Sequence, residues 1–388
     1  MQHERAKTGV VWLAGLLVCV VGPAAWGQQS IVERSSWWAV PVATPRAFLE
    51  EAGKHGVSFQ YQYVHDLSSN PSPAFTERDW CGRFTWTLSA TVDLQKTTGW
   101  SGASGYASVK QHVREFGQID DRVAQGYSNL DTNQHTTLYE AWIQQTIVGG
   151  KLAVKAGRID SNTDFDAVPT AGDFLNSSMG YSPTVMDFPS YPAPQTAVEV
   201  LVPLNSATRV AVGEFRTPGG RISLLEGDRT WSGGTDQHGG RAAIGMWNLT
   251  ESLPRLDGRM VGRTGGLYGV VEQSLGSRSY SDGRKRALTG YLQMGTGDEQ
   301  VNPYRAHLGG GLVIAAPFRR RAGDAAGIAG SWVHLGPGGC ETVVETYYKV
   351  NLGRGVSLVQ DLQYFRNPGG SGTLRDALVA MPRLVIAF

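Results

Sequence analysis

Apolar and polar side chains alternate one by one along most of this chain. In "CGRFTWTLSATVDLQ", Phe84, Trp86, Leu88, Ala90, Val92 and Leu94 share one face, while Arg83, Thr85, Thr87, Ser89, Thr91, Asp93 and Gln95 share the other. A period of two places successive side chains on opposite sides of an extended backbone, so the segment reads as a strand with one greasy and one wet face. It is about twice the roughly 5–6 residues usual in globular sheets, and it exceeds the ~9–11 residues that a tilted strand needs to cross a bilayer. The unit recurs between polar or Gly-rich punctuation, and sixteen strands are predicted, from "VSFQYQYVHDL" to "DALVAMPRLVIAF". The eighth to thirteenth, among them "RAAIGMWNL" and "AHLGGGLVIAAPF", are rich in Gly and Ala and read as short strands.

The connections alternate as well. "TTGWSG", "GGK", "NSA" and "GRG" are tight, whereas connections of the other parity, such as "SSNPSPAFTERDWC" and "FGQIDDRVAQGYSNLDTNQH", are long. Short turns on one side and long loops on the other, with an even strand number, form the pattern of outer-membrane barrels. A sheet in hydrocarbon satisfies its backbone only when it has no edge, so the last strand is expected to pair with the first. Leu378, Leu384, Ile386 and Phe388 stand in one phase of that last strand, which would put the terminal aromatic at the lipid interface. Ahead of the strands, "TPRAFLEEAGKHG" predicts one short helix, with Thr44 as cap, Pro45 in the first turn, and Gly53 and Gly56 at the end. The fold class is therefore all-β: a 16-stranded antiparallel transmembrane barrel over residues 57–388, preceded by a periplasmic segment, 28–56, that carries the helix.

Residues 1–27 read as a secretory signal: Arg5 and Lys7 precede the apolar run "GVVWLAGLLVCVVGPAA", and "AWG" supplies small residues before Gln28. Removing that segment leaves acidic and basic residues in equal number. This near-neutral balance, with a formal charge of +1 on the whole chain, gives no support for nucleic-acid binding. Of the three cysteines, Cys19 leaves with the signal. Cys81 and Cys340 are four strands apart, ~19 Å along the wall at normal spacing, which is too far for a disulfide unless loops bend together. No cofactor or metal motif is evident; the acids of "DFDAVPTAGD" fit no Ca²⁺-loop spacing.

Sixteen strands enclose a water-filled lumen, so the inward face is the functional surface. Phasing each strand by its apolar set directs Arg83, Arg114, Glu140, Lys155, Arg221, Arg305, Glu345, Lys349, Asp361 and Arg383 inward, with Lys110, His112, Glu199, His307 and Gln363. Both signs are present, which suits neutral polyhydroxylated solutes better than ions of one sign. The longest connection, "DSNTDFDAVPTAGDFLNSSMGYSPTVMDFPSYP", is expected to fold into the barrel as a constriction over 161–191. Asp160, Asp164, Asp166, Asp173 and Asn176 would line it, facing Arg83, Arg114, Arg158, Arg221, Arg305 and Arg383 on the wall. Plain hydration of the wall by these charges is the competing reading of each residue. A general pore, a barrel enzyme and a soluble secreted β module are the competing readings of the chain. The enzyme would need its acids or a Ser/His pair gathered at the rim, but His65, His112, His238 and His307 are dispersed.

Several runs resemble a known family. "LYEAWIQQTIVGGKLAVKAGRIDSNTDFDAVPTAGDFLNSSMGYSP", "ETYYKVNLGRGVSLVQDLQYFRNPGG" and "DALVAMPRLVIAF" are similar to segments of the carbohydrate-selective porins of OprB type, and "VDLQKTTGWSGASGYASVKQH" is a weaker echo. The resemblance implies a sixteen-stranded outer-membrane barrel for passive diffusion of monosaccharides, glucose being the usual suggestion, and a constriction containing arginine. Its partners would be small neutral sugars and outer-membrane lipid, as a monomer or a trimer. Val359 and Gln360 depart from the family, which tends to carry Pro before the Asp of "DLQY".

Overall fold

The computed structural model describes residues 45–69, 80–117, 122–232, 239–255, 257–279, 285–336 and 338–388. The expected signal peptide, Thr44 and the rest of 28–44 lie outside the described residues. The predicted helix spans Pro45–Lys54. It leads into β1 (Val57–Ser69), with the Phe48 ring 5.8 Å from that of Phe59. The strands that follow are β2 (Trp80–Asp93), β3 (Ala103–Phe116), β4 (His135–Ile147), β5 (Leu152–Ile159), β6 (Gln195–Pro203), β7 (Thr208–Arg216), β8 (Arg221–Trp231) and β9 (Gly240–Thr250). A two-stranded ribbon in a connection, β10 (Leu253–Pro254) and β11 (Met260–Val261), comes next. The remaining strands are β12 (Thr264–Ser279), β13 (Lys285–Gly297), β14 (Tyr304–Ala315), β15 (Ala325–Leu335), β16 (Cys340–Gly353), β17 (Val356–Arg366) and β18 (Ala377–Ala387).

Apart from the ribbon, these sixteen strands form one closed antiparallel barrel. Closure is made by β18 on β1, in a register that sets Asp66 opposite Arg383 and Gln62 opposite Ala387. Phe388 extends it: its carbonyl accepts from the Tyr61 N–H at 2.7 Å, its N–H donates to the Tyr61 carbonyl at 3.0 Å, and the two rings lie 5.3 Å apart. The outer face is apolar, with Leu225, Ile244, Met246, Leu267, Leu292, Leu308, Ile328 and Leu362 exposed, whereas Arg83, Glu199, Glu226, Glu345 and Gln363 on the inner face are wholly buried. This is the reverse of a soluble barrel, and it is what a hydrocarbon solvent outside demands.

Two expectations are corrected. The Gly-rich middle strands are not short: β12 has 16 residues, while the shortest are β5 with 8 and β6 and β7 with 9 each. The glycines thin the wall where a loop presses against it from within. A Cβ on Gly295 would lie 2.0 Å from the Ser182 hydroxyl, and one on Gly327 would lie 2.8 Å from the Phe174 ring. Nor is the lumen simply water-filled. Long-loop residues Phe165 and Val185 pack on Phe215, Ile222, Trp247 and Tyr268, while Phe174, Leu175 and Met179 pack on Tyr291, Val343, Tyr347 and Phe365, so the barrel holds a hydrophobic core inside itself. Cys81 and Cys340 are both free thiols.

Candidate functional site

The long connection between β5 and β6, residues 160–194, folds into the barrel and is held there by its own backbone. Asp160 opens it: its carboxylate caps a single turn at Ser161–Thr163 by accepting from the Asn162 N–H at 3.0 Å, and it also accepts from the Tyr139 hydroxyl. Apart from that turn and a second at Pro169–Ala171 the loop is irregular, so many of its N–H groups lack secondary-structure partners and need others once buried. The wall supplies carboxylates. Glu226 of β8 accepts from the Asp166 N–H at 2.8 Å and Glu272 of β12 from the Thr170 N–H at 2.7 Å. Glu345 of β16 accepts from the N–H groups of Leu175 and Asn176 at 2.5 and 3.2 Å. An ionised carboxylate is an acceptor only, and such charge-assisted bonds are stronger than neutral ones. Apolar anchors sit between the clamps: Phe165 meets Phe215 with ring centroids 6.0 Å apart, and Phe174 stands edge-on to Tyr347 at 4.8 Å.

The β3–β4 loop, described over 122–134, enters the lumen in the same way. Glu341 accepts from the N–H groups of Ala124 and Gln125, both at 2.8 Å. The Ser128 hydroxyl donates to Asp66 at 2.6 Å, the Asn129 amide oxygen accepts from Arg383 at 2.7 Å, and Asp131 pairs with Arg83. Sequence reasoning noted the length of this loop and gave it no role. The available signal was acids in the inward phase of long strands, which can accept from loop N–H groups as Glu341 does.

A cavity of about 810 Å³ lies between these loops and the wall, within the ~300–1,000 Å³ of small-molecule sites. Gln62, Val64, Thr85, Thr87, Lys110, Tyr139, Lys349, Val359, Arg383 and Val385 line it from the wall, so its wall side runs from β16 through β18 to β4. Asp131 contributes from the β3–β4 loop, and Asp160, Asn162, Asp173, Asn176, Tyr181 and Tyr191 from the long loop. Three cationic and three anionic side chains therefore face the space.

The candidate residues separate into groups. Asp160, Asp173, Asn176, Lys349 and Arg383 line the cavity. Lys349 donates to Asp173 at 2.6 Å, and Arg383 grips Asp66 through two bonds at 2.6 and 2.7 Å. Asn176 is buried and donates to Gln363 at 3.1 Å. Glu140 accepts from the Asp160 N–H at 3.1 Å, and Asp361 accepts from Gln363 at 2.9 Å. Arg83 is a wall residue, but its partner is Asp131 of the β3–β4 loop and not an acid of the long loop.

Asp164 and Asp166 do not line the cavity; the loop uses both as anchors. Asp164 pairs with Lys155, which also meets Glu199 at 2.7 Å, and with Arg209 at 3.0 Å. Burial pushes the Asp164 carboxyl up, but Lys155 and Arg209 outweigh it and hold it below the usual value. Asp166 is fully buried and accepts from the Ser182 N–H at 2.7 Å; burial pushes its carboxyl well above the usual range, with Glu226 nearby adding to the rise.

Four arginines depart from expectation. Arg221 stands on the outer face, exposed, pairing with Glu214 at 3.1 Å, because Ile222, Leu224 and Glu226 take the inward phase of β8. Arg158 carries the outward phase of β5, opposite Thr196, and its Nε donates to the Tyr139 carbonyl at 3.0 Å. Arg305 sits at a register slip between Tyr304 and Ala306. Neither Arg305 nor Arg114, near the end of β3, is a lining residue. The cations that reach the long loop from the inward phase include two that were not singled out: Arg209, and Arg241, which donates to the Ala167 carbonyl and to Glu226, both at 3.0 Å.

Comparison with known proteins is consistent across sequence and fold. The model of the carbohydrate-selective porin family, OprB, matches residues 84–260 and 229–388. Porin B of Pseudomonas aeruginosa is 22% identical over 437 aligned residues, which cover 95% of each chain. The high-pH structure of Pseudomonas putida OprB superposes with a TM-score of 0.80 at 21% identity, over 87% of this chain and 96% of that one. The low-pH structure of the same protein gives 0.61 at 20% identity, over 92% and 100%. OmpT of Vibrio cholerae with loop L8 deleted gives 0.54 at 10% identity, over 86% and 99%, a likeness of fold alone.

Proposed function

Because this chain belongs to the carbohydrate-selective porin family, OprB, its barrel is an outer-membrane carbohydrate channel, and we propose that the solute is a neutral monosaccharide moving down its own gradient. One observation carries this reading: cations and anions line the cavity in equal number, three of each, and most of them are paired. Lys349 is matched by Asp173, Arg383 by Asp66, and Asp131 by Arg83. A pore that selects ions of one sign presents a ring of that sign. Here the lining offers donors and acceptors side by side, which is what a hydroxyl needs, since it both donates and accepts. Tyr139, Tyr181 and Tyr191 add aromatic surface. Weak contacts at several places let a solute enter and leave, as conduction requires. Glucose is the solute against which this is tested. Liposomes carrying the purified protein should swell faster in glucose than in a neutral non-sugar of similar size; equal rates would leave only a general pore.

A further inference from the structure

Two of the three cations that line the cavity are spoken for: Lys349 by Asp173 and Arg383 by Asp66. Lys110 differs. It has the inward phase of β3, and its ammonium sits over two ring faces, 3.6 Å from the centroid of Tyr139 and 4.8 Å from that of Tyr191. Both phenols are pinned by their hydroxyls, Tyr139 on Asp160 and Tyr191 on the Leu130 carbonyl at 2.9 Å, so the rings form a fixed wedge with centroids 6.2 Å apart and planes at 48°. The ring faces attract the positive charge, but an ammonium carries three N–H donors and no acceptor. Among the described residues no hydrogen bond or ion pair reaches this nitrogen, although it lines the cavity.

We propose that Lys110 is the docking group for a neutral ring polyol, its free N–H donors engaging hydroxyl oxygens of a hexose as it passes. The proposal rests on the carbohydrate-channel reading and assigns the discrimination to one residue. The wedge fixes the ammonium in advance, so little side-chain freedom is lost when a hydroxyl arrives. Asp160 and Asn162 line the same space, and their side-chain oxygens supply acceptors for the remaining hydroxyls. The carboxylates of Asp160 and Glu140 lie within electrostatic reach of Lys110 and disfavour an anion at that place, so the site fits a neutral sugar better than a sugar acid.

The test is planar-bilayer recording of potassium chloride current through wild type, Lys110→Met and Lys110→Arg, with glucose or gluconate added. Wild type should show glucose-dependent block. In Lys110→Met the half-blocking glucose concentration should rise about tenfold or more, the worth of one hydrogen bond to a charged group, and Lys110→Arg should recover part of the loss. If wild type shows no response to glucose, the carbohydrate reading itself fails. If wild type responds and Lys110→Met responds equally, the docking assignment fails alone. A loss confined to gluconate would also overturn it, since Lys110 would then be a handle for anions. Heat-modifiable migration on gels verifies that each variant is a folded barrel, and Lys110→Gln serves in place of a methionine variant that does not fold.

Discussion

The lumen has two sides built by opposite rules. From β5 round to β15 the inward positions include Phe215, Ile222, Leu224, Trp247, Leu249, Tyr268 and Tyr291, buried beneath the long loop as in a soluble core. From β1 to β4 the inward positions include Gln62, Thr85, Thr87 and Lys110, and they face open space. A wide barrel left empty would admit any small solute. Packing one side with a loop narrows the passage, and hydrophobic burial keeps the narrowing rigid; the other side is then free to carry polar chemistry. The packed side decides how large the passage is, and the open side decides what it prefers.

The sharpest way to break this division is to damage the packed side alone. Phe174 is almost fully buried against Tyr347, and Glu345 beside it holds two loop N–H groups. Phe174→Ala should cost ~3–5 kcal/mol of loop anchoring through lost burial and the cavity left behind, and adding Glu345→Ala should cost ~1–3 kcal/mol more by leaving buried donors unpaired. Single-channel recordings of the double variant should show larger, noisier conductance and weaker discrimination by size. A conductance identical to wild type would mean that the loop does not narrow the passage.

How much of this was legible in the chain follows the same division. The barrel was, because period-two alternation and loop parity are local signals, and each strand declares its own faces. The inward phase of Lys155, Glu345, Lys349, Asp361 and Arg383 could be read in that way. The partners could not. Which acid of the long loop reaches the wall depends on how the 35 residues 160–194, mostly irregular, fold, and only that fold places Asp164 on Arg209 while turning Asp166 away from the cavity. Arg221 and Arg158 take the outward phase by regular alternation, Arg221 next to the inward Ile222 and Arg158 three residues after the inward Lys155, so strict phasing, and not their charge, decides their face. The Gly-rich strands misled for a physical reason: glycine reads as weak sheet, yet Gly295 and Gly327 mark where the loop presses on the wall.

Acid and alkali should act on the packed side in opposite ways. The Asp164 carboxyl is held low by Lys155 and Arg209, so its contribution is present above the unfolded value of ~3.9 and is lost as pH falls through the depressed one. The Asp166 carboxyl is raised by burial, so its contribution is fully present below ~3.9 and declines as pH rises through the raised value. Asp166→Asn mimics the protonated form and keeps an acceptor for the Ser182 N–H. The temperature of the gel-mobility transition should therefore fall by several degrees between mildly acidic and alkaline pH in wild type, and less in this variant. Parallel curves would show that Asp166 is not the group that titrates.

The smallest effect is expected where a charge stands outside the lumen. Arg221 and Glu214 form an exposed pair on the outer face, with side chains 65% and 47% accessible, and such pairs are worth ~0–1 kcal/mol. Arg221→Gln should leave conductance, ion selectivity and glucose block unchanged. The comparison with Lys110→Met is what gives this null result its content, because both variants remove one positive charge from the wall. If net charge on the barrel governed solute preference, the two would change selectivity alike; if position governs it, only the inward residue matters. A shift in reversal potential for Arg221→Gln as large as that for Lys110→Met would therefore undo the assignment of preference to the open side, whatever became of the packed one.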